Sequence, residues 1–170
     1  AAGPSLAAVV EAALAPATRM VVLTHLHNPS GGPLTPDDAR ALDGMAERRG
    51  VWLLCDEIFR DADAGPTGTF AALGPRWVAT SSLTKVYGLG GLRIGWIAGG
   101  DEVLARCAAV QNGLSVTPAL PSIALALELT PHLDTLRART HRMLTVNHAR
   151  WNDRLGRGVP FTTPFPARGT

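Results

Sequence analysis

Of the sixteen basic residues in this 170-residue chain, fifteen are arginine and one, Lys85, is lysine. Arginine stays protonated, whereas a buried lysine can lose its proton and attack a carbonyl carbon. A chain that meets its need for positive charge with arginine and keeps one lysine marks that amine as a candidate nucleophile. Two other residue types complement an amine: the Asn28 amide and the Asp56 carboxylate, which with Lys85 fall at intervals of 28 and 29 residues. His25 and His27 alternate near Asn28 and could suggest a metal. No third ligand accompanies them, so they are expected to be cleft or packing residues, with no metal site.

The intervals gain meaning from the elements that carry them. Met20–Thr24 and Val51–Cys55 are short apolar runs that read as buried strands. Trp77–Thr80 reads as a third, and a fourth is expected from about Arg93 to Ala98, broken by Gly99-Gly100. A first helix is expected over about 6–15, capped by Ser5 and stopped by Pro16. A second starts at Thr35, with Pro36 at its first position, Asp37 and Asp38 in its first turn, an apolar stripe of Ala39, Leu42, Met45 and Ala46, and Gly50 as its C-terminal cap. Residues 61–75 read as loop. Further helices are expected from Asp101, over about 119–129, and from Pro131 to about Leu155. The last would pack through Leu133, Leu136, Met143, Leu144, Asn147 and Trp151, with Arg137, Arg139, Arg142, Arg150 and Arg154 on its solvated side. Alternating apolar strands and helices imply an α/β layer with parallel pairing. Ligands gather at the carboxyl ends of such strands. Asn28, Asp56 and Lys85 each fall just past such an end, so an amide, a carboxylate and the amine share one rim.

Composition excludes several classes. With 46% hydrophobic and 18% charged residues the chain can bury a core, which rules out disorder. A net charge of +2 from scattered residues gives no basis for a nucleic-acid partner. Cys55 and Cys107 form no Cys-x-x-Cys pair, so neither a zinc ribbon nor a disulfide framework is expected, and a reducing cytoplasm is the expected compartment. Residues 1–15 lack the basic start of a signal peptide. The uncharged run from Cys107 to Leu127 contains Gln111, Asn112, Pro118 and Pro121, and is expected to be buried helix and loop, not a membrane span.

Four segments in order carry a family resemblance: His27-Asn28-Pro29-Ser30-Gly31, Asp56-Glu57-Ile58-Phe59, Ser81-Ser82-Leu83-Thr84-Lys85, and Gly88-Leu89-Gly90-Gly91-Leu92-Arg93-Ile94-Gly95-Trp96. From about Val21 to Trp96 the chain resembles the fold-type I pyridoxal-phosphate enzymes, specifically the class I/II aminotransferases. The resemblance implies a three-layer α/β/α fold with a mostly parallel sheet. Residues 1–130 would be part of the large cofactor-binding domain. Residues 131–170 would be a long interdomain helix and the start of a mostly missing small domain. It also implies pyridoxal 5'-phosphate as cofactor, an amino acid and a 2-oxo acid as substrates, ping-pong amino transfer, and a homodimer for the full-length protein.

Residue by residue, Lys85 resembles the amine that holds the cofactor as an imine and then moves the substrate's α-proton. Its apolar, Gly-rich setting argues against a surface position, so burial is expected. Asp56 matches the carboxylate that keeps the cofactor's ring nitrogen protonated. Asn28 matches the amide that bonds the ring hydroxyl, and its bond to Pro29 is expected to be cis. Arg93 matches the phosphate arginine and Ser82 a hydroxyl donor to the same group, with Ser81 and Thr84 as helpers. Glu57 is expected to be structural. Arg93 stands where the third glycine of G-x-G-x-x-G would be, which argues against a dinucleotide.

There are departures. Phe59 occupies the place of a family tyrosine and cannot donate to the ring oxygen. Tyr87 is expected in the core or pocket wall. The chain is about half the family's length, without the preceding Gly-rich phosphate loop or most of the C-terminal domain, and Arg168 matches no substrate-binding arginine. The same motifs serve β-lyases, decarboxylases and aminotransferase-like sensor domains of transcriptional regulators. A sensor would carry a basic helix-turn-helix segment ahead of this one, and an inactive fragment is a further alternative.

Overall fold

The computed structural model describes residues 5–63 and 68–156. Met20–Thr24 (β1), Trp52–Asp56 (β2), Trp77–Ser82 (β3) and Gly95–Gly99 (β4) form one sheet in the order β1-β2-β3-β4. β1 and β2 are parallel, as are β2 and β3, with Thr24, Asp56 and Thr80 in register. β4 runs antiparallel to β3, Ser82 facing Gly95 and Val78 facing Gly99. The mostly parallel sheet agrees with expectation; the reversal of β4 was not foreseen. A parallel return needs a crossover, usually a helix. Residues 83–94 hold only a tight turn and a single 3-10 turn at Gly90–Leu92, so the chain comes straight back. The backbones are close at that return: a Cβ on Gly95 would lie 3.0 Å from the Ser81 carbonyl oxygen.

The helices are Leu6–Ala13 (α1), Pro36–Arg49 (α2), Asp101–Leu114 (α3), Leu120–Leu129 (α4) and Leu133–Gly156 (α5). α1 ends earlier than expected, because Pro16 biases the residue before it away from helix and Leu14 is already extended. α2 starts and stops as its sequence reads. Thr35 Oγ1 accepts from Asp38 N at 3.1 Å, and Gly50 closes the helix at φ +66°. No atom lies within 4 Å of where a Gly50 Cβ would sit. Gly50→Ala should therefore cost only the left-handed backbone, about 1 kcal/mol, read as a lower denaturation midpoint at unchanged m-value.

The main core lies between α1, α2 and one face of the sheet. Alternation along the strands turns Leu53, Cys55 and Trp77 to that face, where they meet Ala7, Leu34, Ala39, Leu42, Met45, Ala46 and Val51. Trp77 donates from Nε1 to Asp43 Oδ1 at 2.9 Å and stacks on Phe70 at 5.6 Å. A smaller core joins Leu26, Ala62 and Val86 with Phe59, Tyr87 and Leu144.

Two packing expectations are corrected. The Cys107–Leu127 run is not buried: it spans α3, a turn and α4, and Leu114 is 82% exposed. None of its apolar residues is fully covered by the described residues, and none of the described helices is long and apolar enough to cross a membrane. Along α5, Leu133, Leu136 and Leu144 are half-buried, but Met143, Asn147 and Trp151 are exposed. At 24 residues, α5 extends about 36 Å. It meets the 3-10 turns at Arg60–Ala62 and Thr130–His132.

Candidate active site

Because β1, β2 and β3 run the same way and β4 runs back, the carboxyl ends of the first three and the amino end of the fourth share one rim. Pairing continues past the strands, so the rim loops leave from a firm base. His25 N donates to Asp56 O at 3.0 Å, Glu57 N to Thr80 O at 2.8 Å and Leu83 N to Ile94 O at 3.1 Å. All five residues expected at the site lie on this rim.

Asn28 is exposed at the tip of a loop closed by His27 N donating to Gly32 O at 2.9 Å, and the Asn28–Pro29 bond is cis, as expected. Asp56 ends β2 half-buried. Its Oδ1 accepts from Ile58 N at 3.0 Å, and among the described residues Oδ2 has no hydrogen bond. Ser82 ends β3; its Oγ accepts from Thr84 N at 3.1 Å and donates to Thr84 Oγ1 at 2.8 Å. Arg93 is exposed and left-handed at φ +57°, with Nη1 donating to Gly90 O at 3.4 Å. Ser81 is turned inward, donating to Glu57 O at 3.3 Å, and so is part of the frame instead of a phosphate helper.

Lys85 sits in the turn after β3, closed by Gly88 N donating to Lys85 O at 3.1 Å and Leu89 N to Leu83 O at 3.0 Å. It is exposed, where its apolar, Gly-rich setting led us to expect burial. The apolar neighbours Leu83 and Val86 are the buried ones. They anchor the turn and leave the residue between them at the solvent side.

Beneath the rim lies a polar cluster that the sequence reading did not assemble. Glu57, 2% exposed and structural as expected, accepts from Arg60 Nη1 at 2.6 Å, Thr69 Oγ1 at 3.0 Å and Phe70 N at 2.6 Å. Arg60 also grips Asp61 through Nε–Oδ1 at 3.0 Å and Nη2–Oδ2 at 3.2 Å. Tyr87 donates to Asp61 Oδ2 at 2.7 Å. Burial alone would raise the Asp61 carboxyl, but the bonds from Arg60 and Tyr87, with Arg137 beyond, hold it below the usual carboxylate range. Burial, then Asp61, pushes the Tyr87 hydroxyl up to about 12, so it remains the donor. The signal available was Glu57 and Arg60 three apart directly after a strand.

The histidines are packing and loop residues. His27 is exposed and bonds Ser30 Oγ through Nδ1 at 2.9 Å. His25 is buried against Phe70; Nδ1 accepts from Leu34 N at 3.3 Å, and among the described residues Nε2 has no hydrogen-bond partner. Protonation would break the Leu34 bond and bury a charge, so burial lowers the His25 pKa, against the pull of the Asp63 charge. The unfolded chain takes that proton near pH 6.5. Folding stability should therefore fall as pH drops below about 6.5, and His25→Phe should flatten that limb in thermal melts taken across the range.

The rim of this mostly parallel α/β sheet thus carries an amine, a carboxylate with one open oxygen and an arginine beside a reversed strand. The chain belongs to the aminotransferase class I and II family, whose model it matches over residues 6–164. It is 33% identical over 151 residues to an aspartate aminotransferase of Rhizobium meliloti, covering 81% of this chain and 37% of that one. It is 29% identical over 144 residues to a probable N-succinyldiaminopimelate aminotransferase of Mycobacterium tuberculosis, covering 77% and 36%. Its fold matches that of a PLP-dependent aminotransferase from Streptococcus suis with a TM-score of 0.87 at 21% identity, over 95% of this chain and 43% of the other. The chain thus spans well under half the length of these relatives.

Proposed function

We propose that the protein is a pyridoxal-phosphate-dependent aminotransferase, passing an amino group between an amino acid and a 2-oxo acid in a ping-pong cycle. The observation that carries this reading is that β4 runs back, bringing Arg93 to the rim that already holds Asp56 and Lys85. The donor set suits the cofactor: one nucleophilic amine, one carboxylate, one amide, one hydroxyl and one guanidinium. Lys85 Nζ would attach the cofactor covalently, and Asn28 would bond its ring oxygen. Arg93 would clamp the phosphate with paired N–H donors, and Ser82 would turn its hydroxyl from Thr84 to the same group. Bound there, the cofactor supplies the electron sink that makes the substrate's α-proton acidic. Asp56, already steadied by Ile58 N, has Oδ2 open to hold a proton on the ring nitrogen. Lys85 Nζ, freed when the substrate's amine takes its place, would accept the α-proton and hand it back. Phe59 packs in the small core beside Tyr87 and supplies no hydroxyl, which leaves Asn28 as the ring-oxygen donor.

In this reading residues 1–130 are part of the large domain and 131–170 lead into a smaller one; Arg168 lies outside the described residues. The whole protein works as a homodimer in the cytoplasm, a compartment that suits the free thiols of Cys55 and Cys107. The test follows a heavy-nitrogen label from an amino acid, through the complete protein with pyridoxal phosphate, to a 2-oxo acid. Label in a new amino acid is the expected result. Label released as ammonium would point to a lyase, and label that never leaves the donor would sink the aminotransferase reading.

A further inference from the structure

Asp61 is where three segments meet. Its carboxylate accepts from Arg60 and, at 2.7 Å, from the Tyr87 hydroxyl, while His141 Nε2 on α5 donates to its backbone carbonyl at 2.8 Å. Tyr87 stands two residues after Lys85, and Asp61 five after Asp56. Next to Tyr87, the Val86 carbonyl accepts from Thr140 Oγ1 of α5 at 2.6 Å. Lys85 is exposed, so the place of its amine depends on what holds its turn. The main core does not do this: its residues lie on α1, α2, β1–β3 and the segments beside them, apart from the Tyr87 cluster.

We infer that Tyr87 and Asp61 are positioning residues, a hydroxyl–carboxylate tie that holds the Lys85 turn against the loop leaving Asp56, so that amine and carboxylate address one ligand. This rests on the reading of Lys85 and Asp56 as the cofactor's partners. Tyr87→Phe is the selective probe: it keeps the ring packed against Leu26, Ala62 and Val86 and deletes only the tie.

The experiment separates capture from binding in the complete protein. Capture is the rate at which pyridoxal 5'-phosphate becomes fixed to the Lys85 peptide on borohydride quenching, read by mass. Binding is the affinity for pyridoxine 5'-phosphate, which has the phosphate and ring but no aldehyde for an amine to attack. Losing a hydrogen bond to a charged group should slow capture roughly tenfold in Tyr87→Phe, with pyridoxine phosphate affinity within about twofold of the parent. Without any cofactor, exchange of the Gly88 and Leu89 amides that close the turn should quicken by a similar factor. Asp61→Asn keeps an acceptor for the Tyr87 hydroxyl but loses the charge, so it should slow capture less than Tyr87→Phe, and the double variant should cost less than the two single effects together. Unchanged capture and exchange in Tyr87→Phe would overturn the tie, and so would capture and affinity falling together, the mark of general damage. A parent protein that fixes no cofactor on Lys85 would overturn the reading beneath it as well, and is told apart because the parent fails before any variant is compared.

Discussion

Lys85→Ala is expected to abolish covalent attachment of pyridoxal phosphate, leaving no borohydride-stable adduct on the 83–93 peptide and no amino transfer above background. Lys85→Arg is expected to restore neither, because a guanidinium keeps its charge and is not a nucleophile. Loss of the proton-moving group alone costs roughly 100- to 10,000-fold in rate, and the loss of attachment adds to that. Lys85 lies on a turn held by its own backbone bonds and by the buried side chains of Leu83 and Val86, and is itself exposed. Its removal should leave the melting temperature near that of the parent, so inactivity cannot be laid to unfolding. An adduct found elsewhere in the protein would show that another amine does the work.

Glu57→Ala is expected to have the largest effect on stability. The carboxylate is 2% exposed and meets Arg60, Thr69 Oγ1 and the Phe70 amide. Removing it leaves Arg60, whose side chain is 16% exposed, with Asp61 as its partner, and deprives Thr69 Oγ1 and the Phe70 amide of their acceptor. A buried donor left without its acceptor costs about 1–3 kcal/mol, more where it is charged, a large fraction of the stability of an ordinary domain. Glu57→Gln keeps an acceptor for Thr69 and Phe70 and should cost less. Urea titrations of the two variants decide this: equal losses would mean that the charge on Glu57 is immaterial.

The elements most legible in the sequence were those whose signals are local. β1 and β2 announce themselves as apolar runs, and α2 carries a cap, a proline, first-turn acids and a terminal glycine in order. Strand ends slipped by a residue or two, so Asp56 and Ser82 lie within strands and not past them. The direction of β4 was not legible, because a Gly-rich connection has no periodicity to show whether the chain crosses over or turns back. Lys85's exposure was hidden for another reason. Apolar neighbours show that a segment is anchored, but in a turn the anchors and the residue between them face opposite ways. The Glu57–Arg60–Asp61–Tyr87 cluster spans residues far apart in sequence, and only the meeting of the loops after β2 and β3 brings Asp61 to Tyr87. Met143 and Trp151 failed because a helical stripe shows which side of α5 is apolar, not which of its residues the rest of the fold covers: Leu144 packs in the small core while Met143 beside it is exposed.

The antiparallel return of β4 also bears on the order in which the rim comes together. Contacts close in sequence form faster than distant ones, since less chain entropy is lost in closing a short loop. The β3–turn–β4 unit closes over residues 83–94, so Lys85 and Arg93 are brought together by a local event. Asp56 and Asn28 join only when the parallel pairings form across the longer connections through α2 and through residues 57–76. In a refolding time course, protection should rise first on the amides of β3 and β4 and only afterwards on those of β1. The amine and the guanidinium would then reach the rim before the carboxylate and the amide do.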